Sequence, residues 1–373
     1  MNNPFVFGET LTDEAFIDRD TEARELERDL ADAQKVFLLS PRRFGKSALI
    51  AHVLRRLAKR GFRVVTLSVD GFTNFTAFLE GFAGAVTRAA GPYEQAKRWI
   101  ARFLETYQPE IRVGPTGAMG FGLARGAQQE VRHPQEIFRL PESLTQHGGF
   151  RMVVALDEFQ QVNDFDGGAV QRLIRDAAQR QRQVGYVFAG SQPTMMEAML
   201  APKSPFFKAG PTLFLDRIPK AVWQEYVPAQ FARRKRTITP AAIDLLLSTA
   251  DLIPYDVQRL AHEVWDHAEL TRLSRLDVTH IAAVTNQLVA SMGQVYERLW
   301  EQVTLRQRAV LRAVANEPER IGREDVRRTY ALGPLSSVQR ALEGLQNQEL
   351  ISRYRQQYFF LDPLFRAWVK SRR

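Results

Sequence analysis

The sequence predicts an α/β fold built on a doubly wound parallel sheet. A helical segment follows it, then a small terminal module of three helices and a hairpin. Three observations carry this prediction. Five short β-like runs, Val36–Ser40, Val64–Ser68, Met152–Leu156, Tyr186–Ala189 and Thr212–Leu215, alternate with helical stretches. Several are unbroken apolar runs, the pattern of strands covered on both faces of a parallel sheet. Beyond about Arg217 such runs stop and the pattern is helical to about residue 300. Strands alternating with helices in this way argue for a doubly wound domain.

Between the first two strands Leu49, Ile50, Val53, Leu54 and Leu57 fall on one helical face and Arg55, Arg56 and Arg60 on another, with Gly61 placed to end the helix. A second amphipathic helix follows the third strand, with Val170, Leu173, Ile174 and Ala177 facing inward. Residues 108–150 interrupt the rhythm with Gly114, Pro115, Gly117, Gly120, Gly122 and Gly126. There Glu110–Val113 and Met119–Leu123 can pair as an inserted hairpin at about 108–130. Arg233-Arg234-Lys235-Arg236 reads as a solvated loop. In the tail, helices at Leu305–Ala315, Arg323–Tyr330 and Ser336–Gln346 precede β-runs at Leu350–Tyr354 and Tyr358–Leu361, the order of a winged helix. The third helix buries Val338, Leu342 and Leu345 and turns Ser337, Gln339, Arg340 and Gln346 outward. The expected domains are 1–216, 217–300 and 301–373.

At 373 residues the chain has room for two or three domains, and 45% hydrophobic with 25% charged residues is globular composition. The longest apolar run, Met152–Leu156, is far short of the roughly 20 residues that span a bilayer, so no membrane partner is expected. Met1-Asn2-Asn3-Pro4-Phe5 shows no basic segment followed by an apolar stretch, so no secretory signal is expected. There is no cysteine, which excludes disulfides, thiolate metal sites and a cysteine nucleophile and fits a cytoplasmic protein. His52, His133, His147, His262, His267 and His280 lack metal-ligand spacing and read as structural or solvated. The net charge is +9, and residues 303–373 supply most of it, with 14 basic against 7 acidic side chains. The preceding 302 residues hold 37 against 35. A phosphate-facing module has this charge distribution. Of the 51 basic residues 42 are arginine, so a compositional bias accounts for the excess equally well.

The chemistry is concentrated in Val36-Phe37-Leu38-Leu39-Ser40-Pro41-Arg42-Arg43-Phe44-Gly45-Lys46-Ser47. A buried strand runs into a tight loop, and Gly-Lys-Ser then opens a helix. This matches the P-loop pattern, except that Ser40 stands in place of its first glycine. Gly45 lets backbone approach phosphate, and N–H groups at the helix start point at the anion. Pro41, Arg42, Arg43, Phe44, Gly45, Lys46, Ser47 and Ala48 are therefore the expected cradle for ATP or ADP. Lys46 would reach the β- and γ-phosphates and Ser47 would ligate Mg²⁺. The strand Met152-Val153-Val154-Ala155-Leu156 delivers Asp157-Glu158 to its C-terminal end, where α/β sheets bind ligands. Asp157 is the expected second metal ligand, and Glu158 the base that orients and deprotonates a water. Such a pair can also cap a helix. The fourth strand ends in Gly190-Ser191-Gln192. Ser191 is the chosen γ-phosphate sensor and Gln192 its alternative, a plain turn being the remaining reading.

Taken in order, Phe16-Ile17-Asp18-Arg19, Pro41-Arg42-Arg43-Phe44-Gly45-Lys46-Ser47, Leu156-Asp157-Glu158-Phe159-Gln160 and Ala189-Gly190-Ser191-Gln192 resemble the archaeal-type ATPases, a STAND-like branch of the AAA+ P-loop proteins. The resemblance extends through a lid around Pro254-Tyr255 to the winged-helix end at Tyr358-Phe359-Phe360-Leu361-Asp362-Pro363. It implies a P-loop NTPase with five parallel strands, one of them between the P-loop and Asp-Glu strands, a helical lid and a C-terminal winged helix. It also implies that Ile17, Asp18 and Arg19 border the adenine and that Pro254 closes over base or ribose. Read from its residues alone, Asp18-Arg19 with Glu22 and Glu25 can simply open a helix. Two further departures from the family pattern are Lys208, where an arginine near Phe206-Phe207 is usual, and Leu252, where the lid usually has glycine.

The resulting expectation is an ATP-binding, slowly hydrolysing molecular switch with a hinge near 215–220 that assembles on ATP binding. Its tail would engage double-stranded DNA or a protein partner, with Ser337, Gln339, Arg340, Arg353 and Arg355 as the nucleic-acid contacts. The competing expectation is a non-catalytic, nucleotide-bound adaptor or DNA-binding regulator.

Overall fold

A computed structural model describes residues 3–8, 17–91, 109–113, 119–123, 134–166, 168–354 and 357–372. The chain divides into two units. A sheet unit comprises Arg19–Ser40 and Lys46–Leu215, and a helical unit comprises Met1–Asp18, Pro41–Gly45 and Asp216–Arg373.

In the sheet unit the order is α1 (Asp20–Ala31), β1 (Lys35–Leu39), α2 (Lys46–Lys59), β2 (Arg63–Ser68), α3 (Phe75–Ala90), β3 (Pro109–Val113), β4 (Met119–Leu123), α4 (Pro134–Gly148), β5 (Met152–Asp157), α5 (Gly168–Arg180), β6 (Val184–Gly190), α6 (Pro193–Leu200) and β7 (Thr212–Phe214). Five parallel strands form one sheet in the order β2-β5-β6-β1-β7. Thus β6 lies between β1, which leads into the P-loop, and β5, which carries Asp157. Leu39 sits opposite Gly190, and Ser68 opposite Asp157. This register brings Ser40, Asp157 and Ser191 to the same C-terminal edge.

Met152–Leu156 is inaccessible along its whole length, which explains why its sequence is continuous rather than alternating. One face of the sheet packs Phe37, Phe188, Phe159 and Phe206 together, with centroids 4.6–5.5 Å apart; Phe37 stacks on Phe188, and Phe206 meets Phe37 and Phe159 edge to face. At the opposite end Lys35 Nζ donates to the carbonyls of Ala33 and Gln181, both at 2.6 Å, and burial pushes its pKa down. β3 and β4 pair antiparallel, Ile111 opposite Phe121. Their connecting residues 114–118 lie outside the described residues.

The sequence pattern named no helix at α3, α4 or α6, and for α1 it offered only a start at Asp18-Arg19. In α1 the buried residues Ala23, Leu26 and Leu30 are outnumbered by charge, and Asp20 and Glu22 in its first turn favour the helix dipole. In α3 the Asn74 side chain caps the helix by accepting from the Ala77 N–H at 2.9 Å.

The helical unit runs α7 (Lys220–Ala232), β8 (Thr237–Ile238), α8 (Pro240–Thr249), α9 (Pro254–Leu270), β9 (Arg275–Leu276), α10 (Val278–Ser291), α11 (Gly293–Gln302), α12 (Leu305–Asn316), α13 (Glu324–Thr329), α14 (Leu335–Asn347), β10 (Ile351–Tyr354), β11 (Gln357–Phe360) and α15 (Pro363–Ser371). The expectation of pure helix after Arg217 needs correction, because β8 and β9 form a parallel pair. Two residues per strand are too few to show a period. α15 is likewise an addition to the expected three helices and hairpin. It buries Leu364, Phe365, Trp368 and Val369. The outward placement of Ser337 and Gln346 is corrected too, since both are half-buried on α14.

Two large apolar clusters lie in this unit. One gathers Trp223, Phe231, Trp265 and Leu246, and takes in Phe5 from the N-terminal segment. That segment is pinned by Asn3, whose amide donates to the His262 carbonyl (3.0 Å) and to Asp266 (2.8 Å), and by His262 Nδ1 against the Phe5 carbonyl (2.6 Å). The other gathers Tyr296, Trp300, Leu311, Leu345, Phe360 and Trp368. Among the described residues no helix is long and apolar enough to cross a membrane.

Candidate nucleotide site

The end of β1, the start of α2, the end of β5 and the end of β6 meet at one edge of the sheet unit. Lys46, the first residue of α2, is buried, and its ammonium pairs with Asp157 Oδ1 and with Glu158 Oε1 at 3.1 Å. An ammonium with so little water around it persists only with such partners. The Ser47 hydroxyl donates to Asp157 Oδ2 at 3.0 Å.

Glu158 stands at φ 51°, a left-handed conformation that costs about 1–3 kcal/mol for a residue with a side chain. Its own N–H donates to Asp157 Oδ1 at 2.8 Å. Its Oε2 accepts from Ser191 Oγ at 2.5 Å and from Gln160 Nε2 at 2.7 Å. Burial pushes the Glu158 carboxyl up. The charge of Lys46 and the hydrogen bonds from Ser191, Gln160 and Lys46 outweigh it, and the net position is below the usual carboxylate range. The carboxylate is therefore anionic at neutral pH.

The structure thus brings together Lys46, Ser47, Asp157, Glu158 and Ser191. Ala48 is half-buried in the first turn of α2, and Gln192 takes the N-cap position of α6. Ser47 Oγ and the Asp157 carboxylate are hard oxygen donors. Mg²⁺ takes one or two such protein ligands together with substrate phosphates. Among the described residues no cluster of three or more His, Asp or Glu forms a protein-only metal cage.

The loop Pro41–Gly45 groups with the helical unit. Gly45 has φ 90°, where glycine alone is unstrained, and the space around it is open, so its requirement is one of backbone conformation. Pro41 is buried. Arg42 pairs with Glu349 at 2.5 Å. The Arg43 guanidinium donates to the Leu361 carbonyl at 3.1 Å, lies 3.7 Å from Asp256 and sits 5.0 Å over the Tyr255 ring. Phe44 is fully buried against Ile253, Tyr354 and Phe359. These loop side chains thus face the start of α9 and the segment from Glu349 to Leu361 within their own unit.

Pro254 is the first residue of α9, and Asp256 follows in the same turn. The Asp256 carboxylate is buried with neither oxygen hydrogen-bonded. Burial raises its pKa to about 7, against the pull of Arg43 and with the push of Asp362. Ile17 packs on the apolar cluster of the helical unit, and Asp18 is exposed with φ 38°. Arg19 is buried in the sheet unit, pairs with Glu22 at 2.9 Å and precedes α1. Phe16 lies outside the described residues.

Gln339 and Arg340 are exposed on α14, and Arg353 is exposed on β10, 5.6 Å over the Tyr358 ring. Arg355 lies outside the described residues. Lys208 stands 5.4 Å over the Phe207 ring, and Leu252 adopts φ 55° where the family pattern has glycine. Sequence reasoning passed over Gln160 and Asp256. Their only signals were polar residues two positions after Glu158 and two after Pro254.

Residues 294–371 match a family described as "Probable winged helix domain". No curated protein matches the sequence. Among solved structures, the chain is similar to a Walker-type ATPase of Pyrococcus abyssi, with a TM-score of 0.66 at 17% identity, over 98% of this chain and 99% of that one. It is also similar to the ORC2 protein of Aeropyrum pernix, solved in ADPNP and ADP complexes, with a TM-score of 0.53 at 14% identity over 96% and 95%. The Aeropyrum pernix ORC1 protein, solved in complex with DNA, gives a TM-score of 0.50 at 17% identity over 95% and 92%. At these identities the likeness shows the fold, that of P-loop ATPases ending in a winged helix.

Proposed function

We propose that the chain is a Mg²⁺-dependent ATPase that works as a switch, coupling the state of its nucleotide to engagement of double-stranded DNA by the winged helix. The observation that carries the reading is the convergence of Lys46, Ser47, Asp157, Glu158 and Ser191 at one sheet edge. A triphosphate binds the N–H groups at the start of α2 and takes Lys46 from the carboxylates. Ser47 and Asp157 would hold Mg²⁺, which would supply charge neutralisation for the phosphates. Glu158 accepts a proton from water as its oxygen attacks the γ-phosphorus, and the ADP oxygen leaves. Ser191 Oγ donates to Glu158 Oε2 at 2.5 Å and from there would sense the γ-phosphate.

The coupling to DNA rests on the loop Pro41–Gly45, whose Arg42 and Arg43 bond to Glu349 and Leu361 at the winged-helix end. The wing and α14 then present Arg353, Arg340 and Gln339, all exposed, to DNA. Calorimetry tests the premise. Mg-ATP should bind the wild type and lose most of its affinity in Lys46→Ala, and absence of binding to the wild type overturns the proposal.

A second reading, a nucleotide-bound adaptor without turnover, is favoured by Lys208. It stands where the resemblance expects an arginine and cannot offer a bidentate fork to a γ-phosphate. Turnover equal to that of Glu158→Gln selects this reading.

A further inference from the structure

Gln160 is a polar side chain next to the candidate site with no accessible surface. Its Nε2 donates to Glu158 Oε2 at 2.7 Å, while its Oε1 has no hydrogen-bond partner. Burying an amide with one end unsatisfied costs about 1–3 kcal/mol, so packing alone does not account for it. Its surroundings are also built for it. A Cβ placed on Gly190 would come within 2.4 Å of Met196 Cγ and 2.7 Å of Gln160 Oε1, so a glycine there leaves room for both side chains as they lie.

We propose that Gln160 is a positioning residue for Glu158. Together with Ser191 it anchors Oε2, and this leaves Oε1, now paired with Lys46, as the oxygen that receives the proton of the attacking water. The proposal rests on the ATPase reading for its catalytic consequence but not for the contact itself. Two anchors on one oxygen fix the plane of the carboxylate, and a donated hydrogen bond favours its anionic form.

The test is the split between kcat and KM in steady-state hydrolysis, with Mg-ATP affinity read separately by calorimetry. In Gln160→Met, which keeps the volume and removes the donor, kcat should fall about tenfold while KM and Mg-ATP affinity change by less than about twofold. Gln160→Glu, which also lacks the amide donor, replaces the methionine variant if that does not fold, with the same split expected. A wild-type kcat in a folded variant overturns the proposal and leaves the ATPase reading standing. A wild type that binds Mg-ATP and does not hydrolyse it overturns the ATPase reading and the positioning role with it.

Discussion

Lys46 and Asp256 are both buried charges, but their partners differ. Lys46 is met by two carboxylates and is stable in place. Asp256 has a guanidinium at 3.7 Å and no hydrogen bond, so burial dominates and its pKa rises to about 7. The consequences for Glu158 and Asp256 can be measured. Glu158→Gln keeps the shape of the cluster and removes the proton acceptor, so Mg-ATP binding should persist while turnover drops by roughly 10²–10⁴-fold in steady-state assays. For Asp256 the carboxyl titrates near 3.8 when unfolded and at about 7 when folded. Between these values the folded chain holds the extra proton. This group's contribution to stability is therefore complete below the lower value, falls as pH rises and is gone above about 7. Arg43, Arg259, Asp362 and Asp251 face the same carboxyl and set how steep that fall is. Urea unfolding at pH 5 and pH 8 should show the wild type losing stability relative to Asp256→Asn, and parallel behaviour of the two would refute the assignment.

At the scale of elements, legibility followed the strength of the local pattern. The runs in β1, β5 and β6 are apolar because both faces of the sheet are covered, and they were readable for that reason. The stripe Val338, Leu342, Leu345 marked α14 in the same way, and all three residues are buried. Helix α3 was hidden by Gly81 and Gly84, which weaken any helical signal, while α1, with a surface rich in charge, showed only its start at Asp18-Arg19. Helix α15 was hidden by Asp362-Pro363, which reads as the end of a hairpin and is in fact a helix start. The Asp362 carboxylate accepts from the N–H groups of Leu364 (2.9 Å) and Phe365 (3.2 Å), with Pro363 in the first helical position. In the candidate site, Lys46, Ser47, Asp157 and Glu158 were legible because a strand-loop-helix pattern fixes their positions. Gln160 was not, since its role depends on which way Glu158 turns at φ 51°. Asp362 also accepts from the Tyr296 hydroxyl at 3.0 Å. Asp362→Ala should therefore cost about 1–2 kcal/mol as a lost cap, together with the penalty of an unpartnered hydroxyl. Chemical denaturation can read this as a lower midpoint at unchanged slope.

For the whole molecule the question is whether the charge excess of residues 303–373 is a DNA footprint or a compositional bias. Phosphate contacts release condensed counterions, so the logarithm of affinity for duplex DNA falls linearly with the logarithm of salt. A bias spread over the surface leaves no particular arginine responsible for that slope. A footprint concentrates it on a few. Arg340 on α14 and Arg353 on the wing are both exposed. If each neutralises a phosphate, Arg340→Ala and Arg353→Ala should each reduce the slope by about one. Substituting an exposed arginine outside the winged helix, such as Arg182, should leave it unchanged. The proposed switch adds a second condition, since a ligand moves an equilibrium only through differential affinity for its two states. Mg-ATP should shift the DNA affinity of the wild type and leave that of Lys46→Ala where it was. A slope insensitive to both arginines would transfer the winged helix to protein docking. A nucleotide effect retained in Lys46→Ala would instead sever the phosphate loop from the tail.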